Sequence, residues 1–154
     1  MICEARLEAA CCDLVADVVR SAGSASLRVT GLSMLPAIWP GDVLTVRRQA
    51  PDELKPGHIV LYRRGETLTA HRIVQIADEH LLTRGDCVPS LDIPVGFNDV
   101  VGQVVGICRN GRMVPLQQSS WQRVAAWILR RSEWCTKLLP RLRAAARRFT
   151  AAPE

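Results

Sequence analysis

From Leu27 to about Pro115 the chain is cut into short β-branched runs separated by turn signals. The runs are Leu27–Thr30, Asp42–Arg48, His58–Arg63, Thr67–Ala77, His80–Thr83 and Val100–Cys108. The turns are Lys55-Pro56-Gly57, Arg64-Gly65-Glu66, Arg84-Gly85-Asp86 and Asn110-Gly111. Strand-sized apolar runs bounded by Gly, Pro, Asn and Asp are the pattern of a sheet. Parallel neighbours need a crossover of about a dozen residues or more, and this spacing leaves no room for helical ones. The segment therefore predicts an antiparallel, mainly-β domain. Asn110-Gly111 suits a two-residue hairpin with Arg112–Pro115 as the return strand.

The flanks have a different period. In residues 3–21, Leu7, Cys11, Leu14, Val15 and Val18 recur at three- and four-residue steps, which predicts a helix. Ser21-Ala22-Gly23-Ser24 ends it as a loop. Residues 119–149 read as helix again, with Trp121, Val124, Ile128, Cys135, Leu138, Leu142 and Phe149 on one stripe and arginines around it. Pro140 should kink or interrupt that helix. The division is an N-terminal helix over 1–26, a β-domain over 27–116 and a basic amphipathic helical tail over 117–154. A chain of 154 residues fits one domain. With two Phe and one Tyr, its core must be filled by Val, Ile, Leu and Ala.

Charge and cysteine usage exclude several function classes. Residues 121–154 hold eight Lys+Arg against two Glu, while residues 1–120 hold twelve against thirteen acidic residues. The excess positive charge thus belongs to the tail. The cysteines, Cys3, Cys11, Cys12, Cys87, Cys108 and Cys135, form no Cys-x-x-Cys pair and no Cys/His ligand cluster. Adjacent Cys11 and Cys12 suit a disulfide framework poorly, so free thiols in a reducing cytosol are expected. No metal or cofactor is implied. No run reaches the ~18 apolar residues of a membrane span, and the acidic N-terminus does not suit a signal peptide.

One run has no ordinary folding rationale: Gly31-Leu32-Ser33-Met34-Leu35-Pro36, then Pro40-Gly41-Asp42. Glycine permits backbone conformations that other residues avoid, and Pro36 restricts the chain just after the serine. A turn of this kind, supported by Gly31, Met34 and Pro36, can hold the Ser33 hydroxyl outward and aim a backbone N–H at an oxyanion. His71 follows inside an apolar, strand-like run. A serine and a histidine in separate patterned segments suggest an activated nucleophile and its base. His58 and His80 sit beside turns and are expected to be solvated. Asp86, in a Gly-Asp turn, and Asp92, in a loop, are both candidates to orient the histidine. Spacing does not choose between them.

These residues carry a resemblance. Gly31-x-Ser33-Met34-x-Pro36, Pro40-Gly41-Asp42, Pro56-Gly57-x-Ile59-Val60, His71-Arg72-Ile73, Thr83-Arg84-Gly85-Asp86 and Val100-Val101-Gly102-x-Val104 occur in the order found in the type I signal peptidase superfamily. That superfamily also contains the LexA-type self-cleaving repressors. The resemblance covers roughly residues 27–107. It implies a coiled antiparallel β-domain and a serine endopeptidase. Most bacterial members use a lysine base. Here His71 stands at that position and Lys55 lies in a turn, so the chain resembles the Ser-His branch of archaea and the endoplasmic reticulum. Asp86 and Asp92 match the two aspartates of that branch. Gly31 stands where many relatives carry a hydroxyl residue as a second oxyanion donor.

The resemblance implies a peptide or precursor-protein substrate bound as an added strand, with small residues near the cut. The alternative is a catalytically inactive, peptide-binding scaffold that retains the fold, suggested by Gly31 and by the absence of a membrane anchor. Two readings of the tail stay open. Its tryptophans and arginines suit peripheral contact with an anionic membrane surface, or the apolar stripe packs on the β-domain. Nucleic acid is disfavoured as a partner, because no DNA-binding module is recognisable. The expected location is the cytoplasm, with the inner membrane face as a peripheral site.

Overall fold

Strand β3 (Ile59–Arg64) is buried on both faces, and the whole architecture follows from that. Its side chains alternate between two cores, as the two-residue strand period requires. Ile59 and Leu61 enter one core with Val19, Met34, Ala37, Ile38, Leu44, Val46, Val104 and Ile107. Val60 and Tyr62 enter the other with Leu54, Ile73, Leu81 and Val95. A computed structural model of the chain describes residues 2–116, 124 and 126–128, with side chains from Ala10 onward.

The described elements run in order from helix α1 (Ile2–Ala22) through strands β1 (Ser24–Arg28), β2 (Val43–Arg47), β3, β4 (Thr67–Ile76), β5 (His80–Arg84), β6 (Val95–Gly96), β7 (Val100–Arg109) and β8 (Arg112–Val114). The sheet order is β1-β2-β7-β3-β4-β5-β6, and β8 pairs with β7. Every pairing is antiparallel. The mainly-β architecture with an N-terminal helix is therefore the one the turn spacing predicts. The long strand β7 serves two neighbours. Its residues from Gln103 on pair with β2, while Val100–Gln103 pair with β3. Register shifts at Thr45/Val46 and Leu61/Tyr62 bend the ladder there.

Local turn chemistry accounts for the hairpins. Asn110 and Gly111 have φ of 49° and 77°, the pair of positive values that a type I′ turn demands. In the β3–β4 hairpin, Gly65 (φ 60°) takes the first loop position, next to Glu66.

Some boundaries differ from expectation. The helix continues to Ala22, Gly23 (φ 78°) makes the turn, and β1 begins at Ser24 rather than Leu27. The sheet thus starts inside the stretch assigned to the N-terminal helix. Strand β6 and the 3₁₀ turns Pro51–Glu53 and Phe97–Asp99 were not anticipated, because each is too short to show a period. Among the described residues no helix is long and apolar enough to cross a membrane. The tail reading falls on residues 117–154, which lie outside the described residues except for Val124 and 126–128. Those four are helical, with Ala126 buried and Val124, Trp127 and Ile128 exposed.

Candidate active site

Ser33 lies on the connection between β1 and β2, and the apolar residues after it pin that connection. Met34, Pro36, Ala37 and Ile38 are all buried, three of them in the core that also receives Val19 and Leu44. Ser33 itself stays half-buried at the edge. The Leu35–Pro36 peptide is cis. The base of the loop is closed by Val29 N–H to Asp42 O (2.8 Å) and Gly41 N–H to Val29 O (2.8 Å). Here Gly41 has φ 92°, the left-handed region that favours glycine.

His71 is on β4, directly across from Val60 on β3. Cross-strand partners share a face, so the imidazole points into the core of Val60, Tyr62 and Ile73. Tyr62 is the diagonal neighbour on β3. Thr83 is the diagonal neighbour on β5, since it pairs with Ile73. His71, Tyr62 and Thr83 are all buried.

Two hydrogen bonds define the centre. His71 Nε2 is 2.8 Å from Ser33 Oγ, and His71 Nδ1 is 2.6 Å from Asp92 Oδ2. Burial pushes the Asp92 carboxyl upward. The hydrogen bond and charge of His71 outweigh that, with help from Thr83 and Tyr62, so its pKa falls below the usual range. An ionised carboxylate only accepts. His71 Nδ1 therefore carries a proton, and in the neutral ring Nε2 accepts one from the Ser33 hydroxyl. Thr83 Oγ1 (2.8 Å) and the Tyr62 hydroxyl (3.2 Å) also donate to Asp92 Oδ2. Burial pushes the Tyr62 phenol up, and the Asp92 charge adds to the effect, so it stays protonated. Arg64 lies 4.0 Å from the other Asp92 oxygen.

Of the two aspartates left open by the sequence, Asp92 is the one against His71. Asp86 is held instead by Arg72, whose Nε and Nη2 reach its two oxygens at 2.9 and 2.8 Å. Arg72 also donates to Gly57 O (2.8 Å), joining the Gly-Asp loop to the turn before β3. That loop touches the serine directly. Cys87 N–H donates to Ser33 O (3.1 Å), and the Cys87 thiol donates to the carbonyls of Leu32 (3.2 Å) and Ser33 (3.3 Å).

The other end of the Ser33 loop rests on an ion pair whose carboxylate, Asp42, is buried. Arg109 on β7 grips Asp42 through Nε (2.9 Å) and Nη2 (2.7 Å) and donates to Ala37 O (3.2 Å). Asp42 accepts from Trp39 N–H (2.8 Å), and the Trp39 indole donates to Pro36 O (2.9 Å). Burial raises the Asp42 pKa, but these donors and the Arg109 charge leave it below the ordinary value.

One expectation about the loop fails. Gly31 has no positive φ, and a Cβ added there would meet nothing within 4 Å, so no special conformation requires glycine at that position. The required glycine is Gly85, where a Cβ would stand 2.6 Å from Ser33 O. His58 and His80 are half-buried rather than solvated, and His58 Nδ1 accepts from Lys55 N–H (3.2 Å) in its turn. Tyr62 and Arg109 were not anticipated near the site, and Thr83 and Gly85 had a place only in the Thr83-Arg84-Gly85-Asp86 motif, with no role of their own. For Tyr62 the signal was its position two residues from Val60, the strand partner of His71, and for Thr83 its pairing with Ile73, two residues from His71, and both need the register.

Cys11, Cys12, Cys87 and Cys108 are free thiols. Among the described residues no group of three or more His, Cys, Asp or Glu could hold a metal ion. A family model described as Peptidase S24-like matches residues 4–84, more than half of the chain and a span containing both Ser33 and His71. No curated protein matches the chain.

Proposed function

The chain belongs to the Peptidase S24-like family, and on that footing we propose that it is a serine endopeptidase with Ser33 as nucleophile and His71 as general base. The observation that carries this reading is the 2.8 Å contact of Ser33 Oγ with His71 Nε2, together with the 2.6 Å contact of His71 Nδ1 with Asp92. Those distances are within the reach a nucleophile, a base and an orienting group need.

Ser33 Oγ attacks the scissile carbonyl carbon while its proton passes to His71 Nε2. Asp92 stabilises the imidazolium that forms. The backbone N–H of Ser33 supports the oxyanion. The C–N bond then breaks, and the leaving amine takes the proton from Nε2. A water, deprotonated by the same nitrogen, cleaves the acyl-serine and restores the hydroxyl. The use of histidine rather than lysine as base follows the Ser-His branch that the sequence resembles. Substrates of the matching class are extended peptides or precursor proteins with small residues near the cut.

The test is cleavage of a synthetic peptide library carrying small residues about a central bond, by wild type, Ser33→Ala and His71→Ala. Both variants should lose activity by a factor on the order of 10³ or more. Ser33→Ala should keep the wild-type Tm, whereas His71→Ala should stay folded at a lowered Tm, because it empties a buried site and removes the partner of Asp92. Undiminished cleavage by either one would sink the assignment. Peptide binding without cleavage by wild type would support the non-catalytic scaffold instead.

A further inference from the structure

Two buried hydroxyls at this site have no role in filling the core. Tyr62 is 1% exposed and Thr83 0%, both facing the cluster of Leu54, Val60, Ile73, Leu81 and Val95. Phenylalanine and valine would fill the same space. A buried hydroxyl is unfavourable unless it is hydrogen-bonded, so polar side chains there require an acceptor. Both find the same one. Thr83 Oγ1 at 2.8 Å and the Tyr62 hydroxyl at 3.2 Å converge on Asp92 Oδ2, the oxygen that also meets His71 Nδ1 at 2.6 Å. The Tyr62 hydroxyl is also 3.4 Å from that nitrogen.

Asp92 needs such support because of where it sits. It lies on the irregular segment between β5 and β6, flanked by exposed Leu91 and Ile93. The backbone bond from Asp92 N–H to Thr83 O (2.9 Å) ties it to the strand but leaves the carboxylate free to rotate. Arg64, largely in solvent at 4.0 Å from Oδ1, is a weak restraint. The donors that set the carboxylate angle come from β3 and β5, the two rigid neighbours of the strand that carries His71.

We propose that the hydroxyls of Tyr62 and Thr83 are positioning residues: they clamp Asp92 Oδ2 onto His71 Nδ1 and so hold the imidazole with Nε2 toward Ser33. The catalytic consequence rests on the reading of Ser33 and His71 as nucleophile and base. The geometric claim does not, and the two are measured separately.

The geometric claim is read by proton NMR of the His71 Nδ1–H, which a hydrogen bond to a carboxylate moves far downfield, with His71→Gln identifying the signal. Ser33→Ala should keep the resonance. Tyr62→Phe and Thr83→Val should broaden it, and the double variant should lose it while still folded, at a Tm lowered by the two missing bonds to the buried carboxylate. Thr83→Ser, which restores the hydroxyl, should bring it back. If the double variant does not fold, the single variants carry the same comparison. A sharp resonance at the wild-type position in Tyr62→Phe and Thr83→Val would overturn the proposal.

The catalytic consequence is read on a peptide from the small-residue library. The double variant should show kcat lowered roughly ten- to a hundredfold, the effect expected of lost bonds to a charged group. KM should stay within about twofold, because the hydroxyls do not touch substrate. If Ser33→Ala cleaves as well as wild type, the peptidase reading fails, and the resonance still decides the clamp.

Discussion

Gly85 lies so close to the Ser33 carbonyl that a Cβ on it would stand 2.6 Å from that oxygen. The same Cβ would be 2.9 Å from Val88 Cγ2 and 3.0 Å from Ser33 Cβ. One of these obstacles is backbone, so the Gly-Asp loop and the serine loop cannot both keep their places around a side chain. Cys87 N–H, two residues on, is bonded to that same Ser33 oxygen. Gly85→Ala should therefore cost about 1–3 kcal/mol and abolish cleavage by moving Ser33. Gly31→Ala is the control, because its Cβ meets open space at an ordinary φ. It should change stability by no more than about 1 kcal/mol, in the stabilising direction if at all. Thermal unfolding and peptide cleavage of the two variants check the contrast.

The two aspartates should separate by phenotype. Asp92→Asn retains the shape but presents a mixed donor and acceptor to His71 Nδ1, which favours the wrong tautomer. It should lower kcat by a factor on the order of 10³ to 10⁴ with little change in fold. Asp86→Asn leaves the imidazole alone and weakens the two-pronged grip of Arg72 on a buried carboxylate. Breaking a buried pair by losing one charge costs roughly 3–5 kcal/mol. Its loss should therefore appear chiefly in Tm. Steady-state kinetics beside calorimetry distinguish the two, and equal kcat losses at equal Tm would contradict the assignment.

Acid should destabilise the fold through Asp42 and Asp92. Both carboxyls titrate below their ordinary value of 3.8 in the folded protein, burial being outweighed by Arg109 and Trp39 at Asp42 and by His71, Thr83 and Tyr62 at Asp92. A folded pKa below the unfolded one means stability that is fully present above the unfolded value. That stability is lost as pH falls through the folded value. Urea unfolding should thus give a stability that declines from about pH 4 downward. Asp42→Asn should be less stable than wild type near neutrality and should show a shallower acid decline. An unchanged acid slope in Asp42→Asn would contradict the linkage.

Arg109 should behave as an anchor of the Ser33 loop although it is remote in sequence. Its planar fork spans both Asp42 oxygens and reaches Ala37 O, a geometry lysine cannot reproduce. It also lies over the Trp39 ring at 5.8 Å. Arg109→Lys should destabilise the protein by about 1–3 kcal/mol, the cost of leaving a buried acceptor underserved. Trp39 is already half-exposed, so loss of the clamp should shift its emission further to the red. Denaturant curves followed by tryptophan fluorescence, with the other three tryptophans replaced by phenylalanine in both proteins, measure both effects.

Much of the fold was legible because its signals are local. A strand shows itself by a two-residue period and a hairpin by the residues its turn geometry tolerates, so β2, β3, β4, β5, β7 and the Asn110-Gly111 turn lie where the pattern places them. The Ser33 loop was legible in part. Met34 and Pro36 do bury themselves behind the serine, as a loop that must fix a hydroxyl would require. Gly31 was misjudged, since a glycine in sequence does not reveal its own φ.

What the chain alone determined is thus an antiparallel β-domain bearing Ser33 on one loop and His71 on one strand, because period and turn chemistry act over a few residues. Which aspartate meets the histidine was decided only by the tertiary structure. Asp86 and Asp92 both lie just beyond β5, and a one-residue change of register would present a different face of that strand to His71. The pairing of Ile73 with Thr83, followed by the register shift between Ile73 and Gln75, turns Thr83 toward the imidazole. The Asp92 N–H bond to Thr83 O then brings that carboxylate to the ring, while Arg72, on the opposite face of β4, takes Asp86. Contacts of that kind depend on the positions of three strands and two loops at once, and no short stretch of residues encodes them.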